Sequence, residues 1–233
     1  MQISDDLSFD STISNISFNE NDCALFLDTE EIEYTPNVEE LKPEINNIIS
    51  SVNLGSNLNI KNFALKIKNA EYTNNFSKLI LKSKNAKATA TIFSSGKMVC
   101  SGAKTEKQSK TMCAKFGKIV NKVGFNVELK NFKIQNIIAS YDVKFKISLP
   151  KLFNKINTLI NISKNLYSNY VKYNKENFPG LIFYINDLKA SLLVFEYGKV
   201  LISGAQKKEE IEEIFRNVYP LLIESKKINN EKE

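Results

Sequence analysis

The stretch Ile92-Phe93-Ser94-Ser95-Gly96-Lys97-Met98-Val99-Cys100-Ser101-Gly102-Ala103-Lys104 returns as Val194-Phe195-Glu196-Tyr197-Gly198-Lys199-Val200-Leu201-Ile202-Ser203-Gly204-Ala205-Gln206, with Phe, Gly, Lys, Ser, Gly and Ala at identical positions 102 residues apart. A strand, a Gly-Lys turn and a second strand written twice is one supersecondary unit used twice. The period is too long for a solenoid or propeller and fits two halves of one domain. Such halves are related by a pseudo-twofold axis. That symmetry suits a target with a dyad of its own, and duplex DNA is the commonest.

Around the repeat the pattern alternates. Ala88, Ala90 and Ile92 fall on one face and Thr89, Thr91 and Phe93 on the other, and the next strand divides Met98 and Cys100 from Val99 and Ser101. Ser94, Ser95, Gly96 and Lys97 read as the hairpin turn between them. A helix follows: Thr105 and Gln108 have capping-box spacing, Met112, Phe116, Ile119, Val120 and Val123 recur at helical period, and Gly124 ends the run. The second copy answers with Ile211, Ile214, Phe215, Val218 and Leu222, with a kink expected at Pro220.

If helices cover one strand face, the other carries Thr89, Thr91, Phe93, Val99 and Ser101, and in the second copy Leu193, Phe195, Leu201 and Ser203. It is apolar, with small hydroxyls and almost no charge, which marks a binding surface or an obligate interface. Lys82, Lys84, Lys87, Lys97, Lys189 and Lys199 fall at its margins. An apolar floor with a cationic rim is what a minor groove requires: apolar contact to sugars and base edges inside, ammonium groups at the phosphates outside.

The charge is unevenly spread. Residues 1–44 hold twelve Asp and Glu against one Lys, a net −11, so the overall +6 leaves +17 on the remainder. That body points to a polyanionic partner. The leader, rich in Ser, Asp, Asn and Glu, is expected to be mostly disordered. Its Leu25, Phe26 and Leu27 leave two readings open, an inert tail or a segment that docks on a partner or on the basic body. Of the 32 basic residues only Arg216 is arginine, which nearly removes the bidentate guanine contact of major-groove readers while leaving phosphate attraction intact.

Cys23, Cys100 and Cys113 have no metal-ligand spacing and the chain has no histidine, which excludes zinc fingers and histidine-based catalysis. The scattered thiols fit a reducing compartment, and no apolar run reaches membrane-spanning length. Gly96-Lys97 lacks the upstream glycine of a phosphate-binding loop. A nonenzymatic protein without cofactor or metal is expected.

Asn69-Ala70-Glu71-Tyr72, Ile92 to Lys104, Phe132-Lys133-Ile134-Gln135-Asn136 and Phe178-Pro179-Gly180-Leu181-Ile182 closely resemble the TATA-box-binding protein family over residues 45 to 225. The resemblance implies an α+β, pseudo-twofold saddle of two duplicated halves, residues 45–134 and 135–225, with a curved antiparallel sheet, helices on its convex face and a charged tail at 226–233. That family is itself a standard illustration of minor-groove wedging and DNA bending, so those features are implied here by likeness alone. It implies intercalating pairs Phe76 with Phe93 and Phe178 with Phe195. It further implies hydrogen bonds to the groove from Asn47 and Asn136, assisted by Ser101 and Ser203, and apolar floor contacts from Ile49, Val99, Ile138, Leu193 and Leu201. A nuclear general transcription initiation factor follows, with promoter DNA, general factors IIA and IIB and polymerase-associated factors as partners. The free apolar saddle offers a route to self-association.

Departures from the family pattern are concentrated in the second repeat, where Tyr184, Asp187 and Gln206 stand at commonly basic positions and Asn174 replaces an acid of the stirrup that engages factor IIB, although Glu176 is present. Thr91 and Ser191 replace bulkier apolar residues. The segment between Leu149 and Phe178 is about eleven residues longer than the family pattern, for which an extended helix or loop is expected. The rival reading is a divergent paralogue acting as an assembly scaffold with weak or unselective DNA binding. Four phenylalanines at the wedge positions argue against it.

Overall fold

Period-two alternation builds the sheet. In the computed structural model, which describes residues 35–67, 70–73, 78–83, 88–162, 170–185 and 189–227, strands β4 (Thr89–Phe93) and β5 (Lys97–Ala103) bury Ala90, Ile92, Met98, Cys100 and Ala103 and leave Thr89, Thr91, Phe93, Val99 and Ser101 half-exposed. Strands β9 (Ala190–Phe195) and β10 (Lys199–Ala205) likewise bury Ala190, Leu192, Val194, Val200 and Ile202 and leave Ser191, Leu193, Phe195, Leu201 and Ser203 half-exposed. The expected division of faces is therefore observed in both copies.

These hairpins join β1 (Glu44–Asn53), β2 (Ala70–Thr73), β3 (Lys78–Lys82), β6 (Lys130–Asp142), β7 (Tyr170–Tyr173) and β8 (Gly180–Ile185) in one ten-stranded antiparallel sheet of order β2-β3-β4-β5-β1-β6-β10-β9-β8-β7. The order reads the same from either end when β1 is exchanged with β6 and β5 with β10, so the pseudo-twofold passes between β1 and β6. These two strands pair from Glu44 opposite Ser140 to Asn53 opposite Lys130. No strand lies free at the middle, and the two halves share one floor.

Among the described residues four α-helices cover the buried face: α1 (Ile60–Lys66), α2 (Glu106–Lys122), α3 (Leu149–Ile162) and α4 (Lys208–Glu224). Met112, Phe116 and Val120 of α2 are buried against β1 and β5, and Ile211, Ile214, Phe215, Val218 and Leu222 of α4 are buried on their side of the sheet. Each fully buried side chain of this size contributes about 1.5–3 kcal/mol of hydrophobic stabilisation. Ile119, expected on the packed face of α2, is instead 39% exposed and lines a groove beside the helix. The α2 cap also differs by one residue. Thr105 Oγ1 accepts from the Gln108 N–H at 3.1 Å, but Gln108 Oε1 accepts from the N–H of Lys104 at 3.0 Å. Helix α4 continues through Pro220 to Glu224. Among the described residues no helix is long and apolar enough to cross a membrane.

Part of the extra length before the second stirrup is helical, since α3 has 14 residues against seven in its counterpart α1. The last part of the acidic leader is ordered, contrary to its composition. Val38–Glu40 form a 3-10 turn capped by Asn37, the Tyr219 hydroxyl donates to the Pro36 carbonyl, and Arg216 pairs with Glu39 at 3.5 Å. Leu25, Phe26, Leu27 and Cys23 lie outside the described residues, as do 228–233.

Both hairpin turns are buttressed in the same way. Leu54 and Leu58 donate to Gly96 and Ser94 carbonyls at 2.9 Å, and Val143 and Ile147 donate to those of Gly198 and Glu196 at 3.0 and 2.7 Å. The approach is so close that a Cβ on Gly96 would lie 2.3 Å from the Ser56 carbonyl oxygen, and one on Gly198 2.4 Å from that of Phe145, with φ of +80° and +94°. Only glycine tolerates both the angle and the contact. Gly198→Ala should therefore lower the unfolding free energy by about 2 kcal/mol or more, read from denaturant midpoints, and a change within about 0.5 kcal/mol would show that the strut yields freely.

Candidate nucleic-acid interface

The site is built outward from the dyad. Asn47 of β1 faces Ile138 of β6, and Ile49 faces Asn136, so the four central side chains form two symmetry-related pairs. Asn47 Oδ1 accepts from the Gly102 N–H at 2.7 Å, and Asn136 Oδ1 accepts from the Gly204 N–H at the same 2.7 Å. A backbone N–H can only donate, so each amide is held with its oxygen inward and its –NH2 left as the available donor. Two half-buried amide donors thus flank the axis. Both glycines sit where the register between neighbouring strands slips, which brings their N–H groups to the asparagines.

Outward of this pair the floor continues through Val99 and Ser101 of β5, then Thr89 and Thr91 of β4. On the other side it runs through Leu201 and Ser203, then Leu193, all half-exposed. Ser203 is already engaged, its hydroxyl lying 2.8 Å from that of Ser191. These residues therefore share one half-exposed face of the sheet.

At the far end of β9, Phe195 lies opposite Gly180 and its ring centroid is 5.9 Å from that of Phe178, tilted by 57°. Gly180 makes room for this pair, since a Cβ there would come within 2.7 Å of Phe178 Cε1. The preceding turn is shaped by Asn174, whose Oδ1 accepts from the N–H groups of Glu176 and Asn177 at 3.0 and 3.3 Å, leaving Glu176 exposed at its tip. In the first repeat Phe93 ends β4 opposite Lys78. Its partner Phe76 lies outside the described residues.

The rim is unequal. Lys82 is exposed and ion-paired with Glu71 at 2.6 Å, whereas its counterpart on β8 is Tyr184, stacked on Tyr170 at 5.7 Å. Lys97 lies opposite Asn53, but Lys199 lies opposite Asp142. The hydrogen bond from Lys144 holds the Asp142 carboxyl below the usual carboxylate range, with Lys199 adding to the effect. Lys189 is exposed at the start of β9, and Lys84, Lys87 and Asp187 lie outside the described residues.

Sequence reasoning missed Asp142 and Tyr197. Asp142 stands 89 residues after Asn53, the spacing that relates Asn47 to Asn136, and Tyr197 stands 102 after Ser95. Tyr197, 64% exposed, stacks on Phe195 at 5.5 Å and extends the Phe178–Phe195 pair to an aromatic trio. Among the described residues no three His, Cys, Asp or Glu side chains are grouped to hold a metal.

On the opposite face, a groove of about 790 Å³ runs beside α2. It is lined by Leu81, Met112, Phe116 and Ile119, with Lys107 and Lys115 at its edge.

The sequence profile of the family described as transcription factor TFIID (or TATA-binding protein, TBP) matches this chain twice, over residues 42–123 and 131–225. The chain belongs to the TATA-box-binding protein family. It is 41% identical over 198 residues to the TATA-box-binding protein of Acanthamoeba castellanii, covering 84% of this chain and 72% of that one. It is 44% identical over 188 residues to TATA-box-binding protein 1 of Triticum aestivum, covering 79% and 75% respectively. The solved structure of Methanococcus jannaschii TBP superposes with a TM-score of 0.63 at 27% identity, covering 78% of this chain and 99% of that one. The fold is thus the family's saddle, and the chain is a transcription factor and not an enzyme.

Within the saddle, Gly180→Ala should displace the Phe178 ring and lower stability by about 1–3 kcal/mol, the usual cost of overpacking. A melting temperature equal to that of the unmodified protein would show that the aromatic pair is not held in place by this contact.

Proposed function

We propose that the open face of the saddle binds the minor groove of A·T-rich, TATA-type promoter DNA, wedges the pairs Phe76 with Phe93 and Phe178 with Phe195 into base steps, and bends the duplex to nucleate a preinitiation complex in the nucleus. The single observation that carries this reading is the pair of oriented amide donors at the dyad, from Asn47 and Asn136. In the minor groove A·T and T·A pairs present only acceptors, so two donors on the axis match an A·T step in either orientation. Around them the apolar floor excludes water. A guanine amino group pressed against Val99 or Leu201 would lose its hydration without a partner.

Wedging works because the aromatic rings replace the stacking that the opened step loses, and the bend lets the sheet bury more of the groove. The rim supplies attraction without sequence information: Lys82, Lys97, Lys189 and Lys199 are exposed and available to phosphates, and the resemblance gives the same role to Lys84 and Lys87, which lie outside the described residues. Lys82 must leave Glu71 to do so, and that pair is exposed, where an ion pair is worth at most about 1 kcal/mol.

Partners by the same reading are general factors IIA and IIB and polymerase-associated factors. Glu176 at the stirrup tip is the proposed contact to factor IIB, and the lysine-edged groove beside α2 is open to others. The scaffold alternative draws on the weakened basic margin of the second repeat, where Tyr184, Asp187 and Gln206 stand.

Energy transfer across end-labelled duplexes tests both readings. Selective bending of a TATA duplex over a G·C-substituted control supports the promoter factor, and salt-sensitive binding without selective bending supports the scaffold. Phe93→Ala and Phe195→Ala should each abolish bending with little loss of fold stability, since both rings are half-exposed at strand ends. Normal bending by either variant would refute the wedge. Lys82→Ala should weaken binding to all sequences alike and reduce the slope of log affinity against log salt by about one unit.

A further inference from the structure

The two halves of the floor differ in chemistry where they agree in geometry. Thr91 occupies the position that Leu193 holds 102 residues later. Thr91 lies between Ile80 and Val99 in the ladder, and Leu193 between Ile182 and Leu201. In the second half the hydroxyls are spent on each other, Ser191 with Ser203 at 2.8 Å. Their counterparts Thr89 and Ser101 are likewise opposite one another, yet no side-chain hydrogen bond is made by Thr89, Thr91 or Ser101 among the described residues. One half presents three uncommitted hydroxyls. The other presents leucines and a closed serine pair.

We infer that Thr91 makes the first-repeat half of the floor permissive to a G·C pair while Leu193 makes the second half exclude one, so that a single G·C pair fixes the direction in which the pseudo-symmetric saddle sits on DNA. This rests on the minor-groove reading proposed above. The only hydrogen-bonding feature that distinguishes G·C from A·T in the minor groove is the guanine amino donor. A leucine side chain offers that donor neither an acceptor nor room, and burying it unpaired is costly. A threonine hydroxyl is both acceptor and donor. Toward G·C it accepts from the amino group, and toward A·T it donates to adenine N3 or thymine O2. Thr91 also occupies less volume than leucine, which leaves space for the amino group above the strand. At this one position the first half therefore discriminates weakly and the second strongly, while Val99 and Leu201 exclude guanine alike.

A pseudo-symmetric protein on a palindromic A·T duplex can bind in either direction, and one G·C pair on either side is accommodated by choosing the direction that places it over Thr91. A second G·C pair at the symmetry-related position cannot be. The test uses the full chain and duplexes carrying none, one or two such pairs. The first should cost less than about 5-fold in affinity and the second more than about 30-fold, within the range ordinary for base-pair changes. Thr91→Leu should make the first pair as costly as the second, and Leu193→Thr should make the second as cheap as the first. Because the two variants change opposite halves, either one decides if the other fails to fold. Equal costs for the two pairs in the unmodified protein, or a folded Thr91→Leu protein with an unchanged profile, would overturn the inference while leaving TATA binding intact. Failure to prefer the unsubstituted A·T duplex over a fully G·C-substituted one would overturn the minor-groove reading and this inference with it.

Discussion

The antiparallel pairing of β1 with β6 is the constraint on which the rest of the molecule depends. It runs from Glu44 opposite Ser140 to Asn53 opposite Lys130 and fuses two hairpin units into one sheet. Without it each unit would present an open strand edge at its middle, an exposed row of unpaired amide groups. With it, the central positions fall to four side chains, Asn47, Ile49, Asn136 and Ile138, and the two asparagines acquire fixed orientations because the neighbouring strands slip in register beside them. Covalent duplication supplied the symmetry, and the central ladder turned it into a continuous surface.

Symmetry of backbone does not carry symmetry of charge. Lys82 corresponds to Tyr184, Lys78 to Gly180, and the residue opposite Lys97 is Asn53 where that opposite Lys199 is Asp142. The Phe178, Phe195 and Tyr197 cluster adds aromatic area where these cations are missing. One half thus has more cationic margin and the other more aromatic surface. Under the proposed function, long-range attraction falls more to the first half and close packing more to the second.

How much of this was readable in the chain follows from the distance over which each feature is encoded. The strand faces were legible because a period of two over Thr89–Phe93 or Lys97–Ala103 needs no information from elsewhere. The hairpin turns were legible because Gly96 and Gly198 recur with Lys beside them. The role of Asn47 came only by resemblance, since the amide that orients it belongs to Gly102, 55 residues away, and a slip in register leaves no local trace. Helical periodicity puts Ile119 on the core side of α2 but carries no information on the open groove that it lines. Composition made residues 35–43 look disordered, yet they are held by Tyr219, Arg216 and Lys226, whose positions only the folded sheet determines. Interactions between distant segments set the polar details, and local patterning set the frame.

The same contacts bring the two ends of the saddle together. Lys226, just beyond the last helix, donates to the Thr35 hydroxyl at 3.1 Å, ahead of the first strand. A domain whose entry and exit meet has no geometrical need for one repeat to precede the other. Joined at that point and opened at the connection between the halves, the chain could be circularly permuted, with the second repeat translated first, and still trace the same sheet. Repeat order is then a record of descent, and the distinct chemistry of each half is what gives the order a meaning.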